Sequence, residues 1–383
     1  MTNLGVLMRQ VPFFSVVFLC FCAVTQSSAQ DTFSSHVDAI FAEFDSADVP
    51  GCAVGVIRGG TYIHAKGYGS ANLEHGIPIS RDSVFRIGSV SKQFTAAAIA
   101  ILATRGELAL DAEVHTYLPD LRKYDDPVTL RQMVHHISGM GEYEGKTTYE
   151  LRDGSPFRFG NEDYWTIEEF YREVAEKPLV LTPGEHFEYS NIAYFLLSQV
   201  VERVSGKTLR RFADEEIFGP LKMEATFFND NVDSIVPNRA DGYKPLENGG
   251  FEIFMTNLDW VGDGGVFTTL NDFIKWDTAF MAGDVPGGDE VETLMLEPHP
   301  VTVETMDSGA LDEGAGYGFG LVIGKYQGHR VHEQDGAWVG FLALYARFPD
   351  DNFSIVLLCN RSDAWKDGKV EELVDLAVSE FSD

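Results

Sequence analysis

Strand-type segments crowd both ends of this chain and are nearly absent from its middle. Near the N-terminus, "GCAVGVIRGGTYIHAKGYG" (51–69) places two apolar runs around Gly59-Gly60, the pattern of a β-hairpin. Near the C-terminus, "YGFGLVIGKY", "HRVHEQ", "GFLALYARFP" and "FSIVLLCN" follow one another as short strands, and "KVEELVDLAVSEF" closes the chain as a helix. Between them lie helical patterns. "SKQFTAAAIAILATRG" stops at Gly106, "VTLRQMVHHISGM" ends at Ser138-Gly139, and "NIAYFLLSQVVERVSGK" ends at Gly206. "GDGGVFTTLNDFIKW" reads as a glycine-rich turn followed by a helix capped by Thr269 or Asn271. Residues 140–165 are polar, aromatic and aperiodic, and predict a long surface excursion of the kind that borders binding sites.

This distribution predicts an α/β (α+β) fold: one antiparallel sheet formed from both chain ends, flanked by helices, with a mostly helical insert. The expected boundaries are a single domain over 30–383, its α/β part at 30–95 and 265–383 and its helical part at 96–264. With 44% hydrophobic residues among 383, a sizeable core is available. Lys and Arg total 29 against 59 Asp and Glu, a net charge of -30 that repels phosphate backbones and argues against a nucleic-acid partner.

Arg9 precedes an apolar run, "VPFFSVVFLCFCAV", and "SSA" ends at Ala29. This predicts a cleaved export signal over 1–29, a periplasmic or secreted protein, and no integral membrane span after cleavage. Of four cysteines, Cys20 and Cys22 lie in that segment. Cys52 and Cys359 remain in strand-like runs, where they are either paired or two buried thiols.

Three constellations bear on chemistry. In "RIGSVSKQFTAAAIAIL", Ser89 and Lys92 are three apart and share a helix face. Either Ser89 caps the helix and Lys92 reaches for solvent, or the pair is a nucleophile and its base at a helix N-terminus, where free N–H groups favour an oxyanion. In "PGEHFEYSNIAY", Ser190 or Asn191 is an ordinary N-cap, while Tyr189 is a core aromatic or an acid–base group whose pKa nearby cations lower. Asn191 can bond both a lysine and a substrate carbonyl. In "VHEQDGAWVGF", small residues let a substrate backbone approach Gln334, Gly336 and Ala337, or they belong to a hairpin strand turning at Gly340. No G-x-S-x-G elbow, zinc helix or phosphate loop is present, so no metal or cofactor is expected. His135 and His136 are adjacent on a helix, point apart, and read as packing or capping residues.

The order of these elements resembles the serine β-lactamase / penicillin-binding family, specifically its class C branch of class C β-lactamases, D-alanyl-D-alanine carboxypeptidases, D-aminopeptidases and related esterases. The resemblance runs from "PGCAVGVIRGG" through "FRIGSVSKQFTAAAIAIL", "GELALDAEVHTYLPD", "VTLRQMVHHISGM", "PGEHFEYSNIAYFLLSQVVERVSGK", "IFGPLKMEATFF" and "GDGGVFTTLNDFIKW" to "GAWVGFLALYARFPDDNFSIVLLCNR". It implies a β-lactamase/transpeptidase-like fold with Ser89 as the acylated nucleophile and Lys92 as its deprotonating partner. Tyr189 would carry protons to the leaving group and from water, and Asn191 would orient Lys92 and substrate. The N–H groups of Ser89 and Ala337 would form an oxyanion hole. The third motif departs from the family, which has Lys or His two residues before Gly336, where this chain has Gln334. His332 lies about 6.6 Å along the same strand face and is a candidate partial substitute. Loss of that cation disfavours carboxylate-bearing β-lactams and cell-wall peptides. The expected activity is a serine acyl hydrolase on a small-molecule ester, amide or peptide. A β-lactamase or D-Ala-D-Ala carboxypeptidase, or a silent binding protein on this fold, is the alternative.

Overall fold

The structure is a computed structural model that describes residues 20–143, 149–150, 156–157, 164–259 and 261–382. Helix α1 (Cys20–Ile40) leads into strands β1 (Cys52–Arg58) and β2 (Thr61–Tyr68). Helices α2 (Lys92–Thr104), α3 (Asn191–Ser205) and α4 (Leu270–Ala282) occupy the middle of the chain. The last third supplies β3 (Gly316–Tyr317), β4 (Val322–Tyr326), β5 (His329–Trp338), β6 (Phe341–Phe348), β7 (Phe353–Cys359) and helix α5 (Lys369–Phe381). These seven strands form one antiparallel sheet in the order β3-β4-β5-β6-β7-β1-β2, so both chain ends build it, as the sequence predicts.

Both faces of the sheet are covered, and the strand period of two divides the side chains between two apolar clusters. Val54 and Val56 of β1, Leu342 and Leu344 of β6 and Ile355 and Leu357 of β7 face Phe33 and Val37 of α1 and Leu373 and Ala377 of α5. Ala53, Ile57, Ala343, Tyr345, Val356 and Leu358 face the larger cluster, which holds α2, α3 and α4. Every residue of α2 from Lys92 to Leu102 is buried, which its alanine-rich, apolar circumference permits. A three-stranded sheet of Phe85–Arg86, Val266–Thr268 and Phe227–Phe228 anchors the approach to that helix.

Of the expected export signal, residues 1–19 lie outside the described residues and 20–29 form the first part of α1. Several local expectations are corrected. The helix expected over "VTLRQMVHHISGM" is only Leu130–Val134. A Thr129/Gln132 capping box starts it, and His136, at φ +57°, breaks it. The segment 140–143, assigned to a surface excursion, is inside: Met140 and Tyr143 are buried and carry the chain past the site. Much of the rest of that excursion lies outside the described residues. β5 runs to Trp338, beyond "HRVHEQ", because Gln334 to Trp338 pair with Phe341 to Tyr345 of β6.

Cys52 and Cys359 form a disulfide, directly opposite each other on adjacent central strands β1 and β7. It joins positions 307 residues apart and pins the two chain ends that make the sheet. Replacing both cysteines with alanine is expected to cost about 2–5 kcal/mol, read as a lower guanidinium midpoint for the variant than for the oxidised parent.

Candidate active site

Ser89 lies in the 3-10 turn Gly88–Ser91 that opens directly into α2. Neither Ser89 nor Ser91 caps that helix. Ser91 Oγ instead accepts the Val266 N–H at 3.0 Å, tying the turn to the short three-stranded sheet. One turn on, Lys92 Nζ is 3.2 Å from Ser89 Oγ. The amine also reaches Asn191 Oδ1 at 2.6 Å and the backbone carbonyl of Asp263 at 2.7 Å. These partners are remote in sequence and converge on one buried nitrogen. A neutral amine has two N–H donors and one lone pair. As an ammonium Lys92 donates to all three partners; deprotonated, it would keep two donations, to Asn191 and Asp263, and turn its lone pair to the serine hydroxyl, the arrangement a general base requires.

Asn191 is the first residue of α3, and Ser190 is its N-cap, accepting from the Ala193 N–H at 3.1 Å. The asparagine amide is locked from behind by Glu142. The carboxylate accepts from the Asn191 N–H and from Nδ2, both at 2.9 Å. A carboxylate is acceptor-only, so Nδ2 must face it and Oδ1 must face Lys92. The Asp263 carbonyl is held comparably. Arg86 Nε donates to the next carbonyl, Gly264, at 3.0 Å, Thr95 Oγ1 donates to the preceding one, Gly262, at 2.7 Å, and the Tyr143 hydroxyl donates to the Asp263 carboxylate.

Tyr189 sits just before that cap, with its ring face 4.8 Å from Lys92 Nζ. Its hydroxyl is buried beside Ser89, close enough for the serine to oppose the rise in its pKa, but not aligned into a hydrogen bond. Burial pushes the phenol well above its usual value, and the Asp335 and Glu142 charges add to the rise. This corrects the expectation that cations would lower it: the phenol keeps its proton. The sequence assigned His136 to packing or capping, and the structure gives it a further task. Its ring packs tilted against that of Tyr189, centroids 4.2 Å apart, and its Nδ1 accepts the Ser190 N–H at 3.0 Å. Burial, with Lys92 nearby, holds it neutral, so its proton is on Nε2.

The third wall is the end of β5. β4 pairs with residues 329–333 of that strand, so 334–338 have β6 on one side only. Their other edge meets the serine turn. A Cβ on Gly336 would lie 2.1 Å from the Ile87 carbonyl oxygen and 3.0 Å from Ser89 N, and one on Gly88 would lie 2.8 Å from Ala337 N. Glycine at both positions is what lets the backbones of Ser89 and Ala337 meet.

Gln334 does not sit where a substrate group would find it. It is 4% exposed. Its Oε1 accepts from the Tyr317 hydroxyl at 3.0 Å, and its Nε2 donates to its neighbour's carbonyl at 2.9 Å. Both ends of the amide are spent within the protein, so the expected substrate-binding role is replaced by a structural one. His332 is no cationic substitute either. It is buried against Arg347, 2.6 Å from Nη2, and burial and that guanidinium push its pKa down to about 3.

The structure therefore brings Ser89, Lys92, Tyr189, Asn191, Gly336 and Ala337 together and leaves Gln334 beneath them. Sequence reasoning missed Glu142, Asp263 and Tyr317. The sequence marks Gly262-Asp263-Gly264-Gly265 as a glycine-rich turn, and its backbone carbonyls are what the site uses. Among the described residues no cluster of three or more potential metal ligands occurs. Glu142→Gln puts a donor where both Asn191 donors need an acceptor. It is expected to slow fluorophosphonate labelling of Ser89 about tenfold with little change in the thermal midpoint. Intact-mass kinetics beside a melting curve check this.

The sequence profile described as Beta-lactamase matches residues 37–379. A D-aminopeptidase of Gluconobacter oxydans is 27% identical over 337 residues, covering 87% of this chain and 60% of its own length. An esterase of Burkholderia gladioli is 33% identical over 198 residues, 50% of each protein. The solved structure of an octameric penicillin-binding protein homologue from Pyrococcus abyssi superposes with a TM-score of 0.76 at 25% identity, over 91% of this chain and 77% of that one. This chain spans only 60% of the length of the D-aminopeptidase it matches. With the match running over nearly all of the folded chain, and with the serine, lysine, tyrosine and asparagine of the resemblance gathered at one point, the protein belongs to the β-lactamase family.

Proposed function

We propose that the protein is a serine acyl hydrolase that cleaves an ester or amide through an acyl group carried on Ser89. The observation that carries this reading is the convergence at Lys92 Nζ, which lies 3.2 Å from Ser89 Oγ and is held there by two fixed acceptors, Asn191 Oδ1 and the Asp263 carbonyl. In acylation, Ser89 Oγ bonds to the substrate carbonyl carbon and its proton passes to Lys92. The carbonyl electron pair moves to oxygen, facing the Ser89 and Ala337 N–H groups. Collapse breaks the bond to the leaving group, which Tyr189 protonates, and the phenol is reprotonated from Lys92. In deacylation a water replaces the leaving group, its proton returns along the same path, and Ser89 is released.

Similarity to a D-aminopeptidase and to an esterase supports ester or amide chemistry. β-Lactamase or carboxypeptidase action on carboxylate-bearing substrates is the weaker reading, because neither Gln334 nor His332 supplies the cation of the Lys or His of the resemblance. The Gln334 side chain is engaged internally and His332 is held neutral. A silent binding protein would not need a lysine aimed at a serine. The Cys52–Cys359 bond, together with the apolar N-terminal run, supports export to an oxidising compartment, with periplasmic or secreted as the proposed location.

The test is turnover of p-nitrophenyl butyrate and of penicillin by the parent and by Ser89→Ala. The expected result is ester hydrolysis that falls by at least about 10³-fold in the variant, with penicillin turned over far more slowly. Turnover unchanged in Ser89→Ala, or no hydrolysis of any ester or amide by the parent, would overturn the reading.

A further inference from the structure

We infer that His136 is the positioning residue for Tyr189, and that it sets the phenol for protonating poor leaving groups. The inference rests on the acyl-hydrolase reading of Ser89 and concerns the leaving-group half of that reaction.

One residue grips the chain on both sides of Tyr189. The His136 carbonyl accepts the Glu188 N–H at 2.7 Å, and His136 Nδ1 accepts the Ser190 N–H at 3.0 Å. The same imidazole packs against the Tyr189 ring, with centroids 4.2 Å and planes 31° apart. His136 holds a left-handed backbone, φ +57°, where the short helix Leu130–Val134 has just ended. That conformation disfavours a residue with a Cβ, so local backbone preference does not explain a histidine here. What its carbonyl and its ring both reach does explain it.

The imidazole is fully buried, and its orientation has a single polar determinant. Nε2 has no hydrogen-bond partner among the described residues. The rings of Tyr194, Tyr317 and Phe187 pack around it at 4.9, 4.6 and 5.9 Å. The Ser190 N–H is a donor, so Nδ1 carries the lone pair and Nε2 the proton. Turning the ring over would set a second donor against that N–H. One hydrogen bond therefore fixes both the imidazole and the entrance to α3. Ser190 adds a restraint of its own, since its Oγ caps α3 and donates to the Gly141 carbonyl at 2.6 Å. Lys92 and Asn191 are fixed by different groups, the Asp263 carbonyl and Glu142. Loss of the Nδ1 acceptor thus displaces the phenol and leaves the Ser89–Lys92 pair its own supports.

That separation has a chemical signature. When the tetrahedral adduct collapses, the C–O bond to the leaving group breaks and its electron pair goes to the leaving oxygen. Tyr189 Oη supplies the proton, which Lys92 replaces. p-Nitrophenolate departs without a proton. Ethoxide is a far stronger base and departs only as ethanol, so a misplaced phenol slows an ethyl ester more.

The test measures kcat/KM for p-nitrophenyl, phenyl and ethyl butyrate, which share one acyl group. His136→Phe keeps a ring and removes the acceptor. Its kcat/KM is expected to fall about tenfold further on the ethyl than on the p-nitrophenyl ester, with phenyl between. His136→Asn tolerates positive φ and keeps an acceptor as many bonds from Cα as Nδ1, and is expected to recover most of that difference. Nitrogen NMR of the parent is expected to show His136 as the Nε2–H tautomer, assigned by the signal missing from His136→Asn. Equal losses on all three esters in His136→Phe, no recovery in His136→Asn, or an Nδ1–H tautomer in the parent overturns the inference. The tautomer is read on the parent, so it decides even where His136→Phe does not fold. A parent that hydrolyses none of the three esters overturns the acyl-hydrolase reading instead.

Discussion

Three parts of the chain that are far apart in sequence meet at the side-chain nitrogen of Lys92. The amine belongs to α2, the Asn191 amide to the start of α3, and the Asp263 carbonyl to the glycine-rich turn before α4. Lys92 is fully buried, and a buried amine without partners would be strongly destabilising. The packing of α2 against α3 and the path of the glycine turn are therefore coupled to one another through a polar contact inside an apolar core. That contact also points the nitrogen at Ser89. The same hydrogen bonds tie the elements together and position the amine, and Glu142 and Tyr143 matter because each holds a residue that accepts from Lys92.

The sheet supplies the other half of the site. Its order brings the C-terminal strands beside the N-terminal hairpin, with the disulfide at their junction. β4 stops short along β5, and this leaves an open edge facing the serine turn. Gly336 and Gly88 then set how closely that edge approaches. The chain thus places the Ser89 hydroxyl between the N-terminus of a buried helix and an open strand edge, a setting with backbone donors on two sides.

Much of this was legible in the residues. Apolar runs punctuated by glycine placed the strands at both ends, and the spacing of Ser89 and Lys92 put them on one helix face. The N-cap pattern located Tyr189 and Asn191 at a helix entrance. What was not legible depends on tertiary contact. Nothing local says that Glu142, in a stretch without periodicity, grips an asparagine 49 residues on, or that a loop carbonyl at 263 completes the lysine's shell. The direction of the Tyr189 shift was misjudged because burial outweighs neighbouring charge, and burial is a property of the fold. Gln334 was placed at the substrate surface from its motif position, whereas strand alternation and the Tyr317 hydroxyl bury it and leave the neighbouring aspartate outside.

The most direct measurement is the rate at which a fluorophosphonate modifies Ser89 in Lys92→Met, followed by the mass of the peptide that contains Ser89 in protein shown by circular dichroism to be folded. If the amine activates the hydroxyl, modification falls by about 10²- to 10⁴-fold while the adduct in the parent maps to Ser89 alone. Modification of Ser89 at the parental rate without the amine, or an adduct on some other residue, would contradict the central role given to this contact.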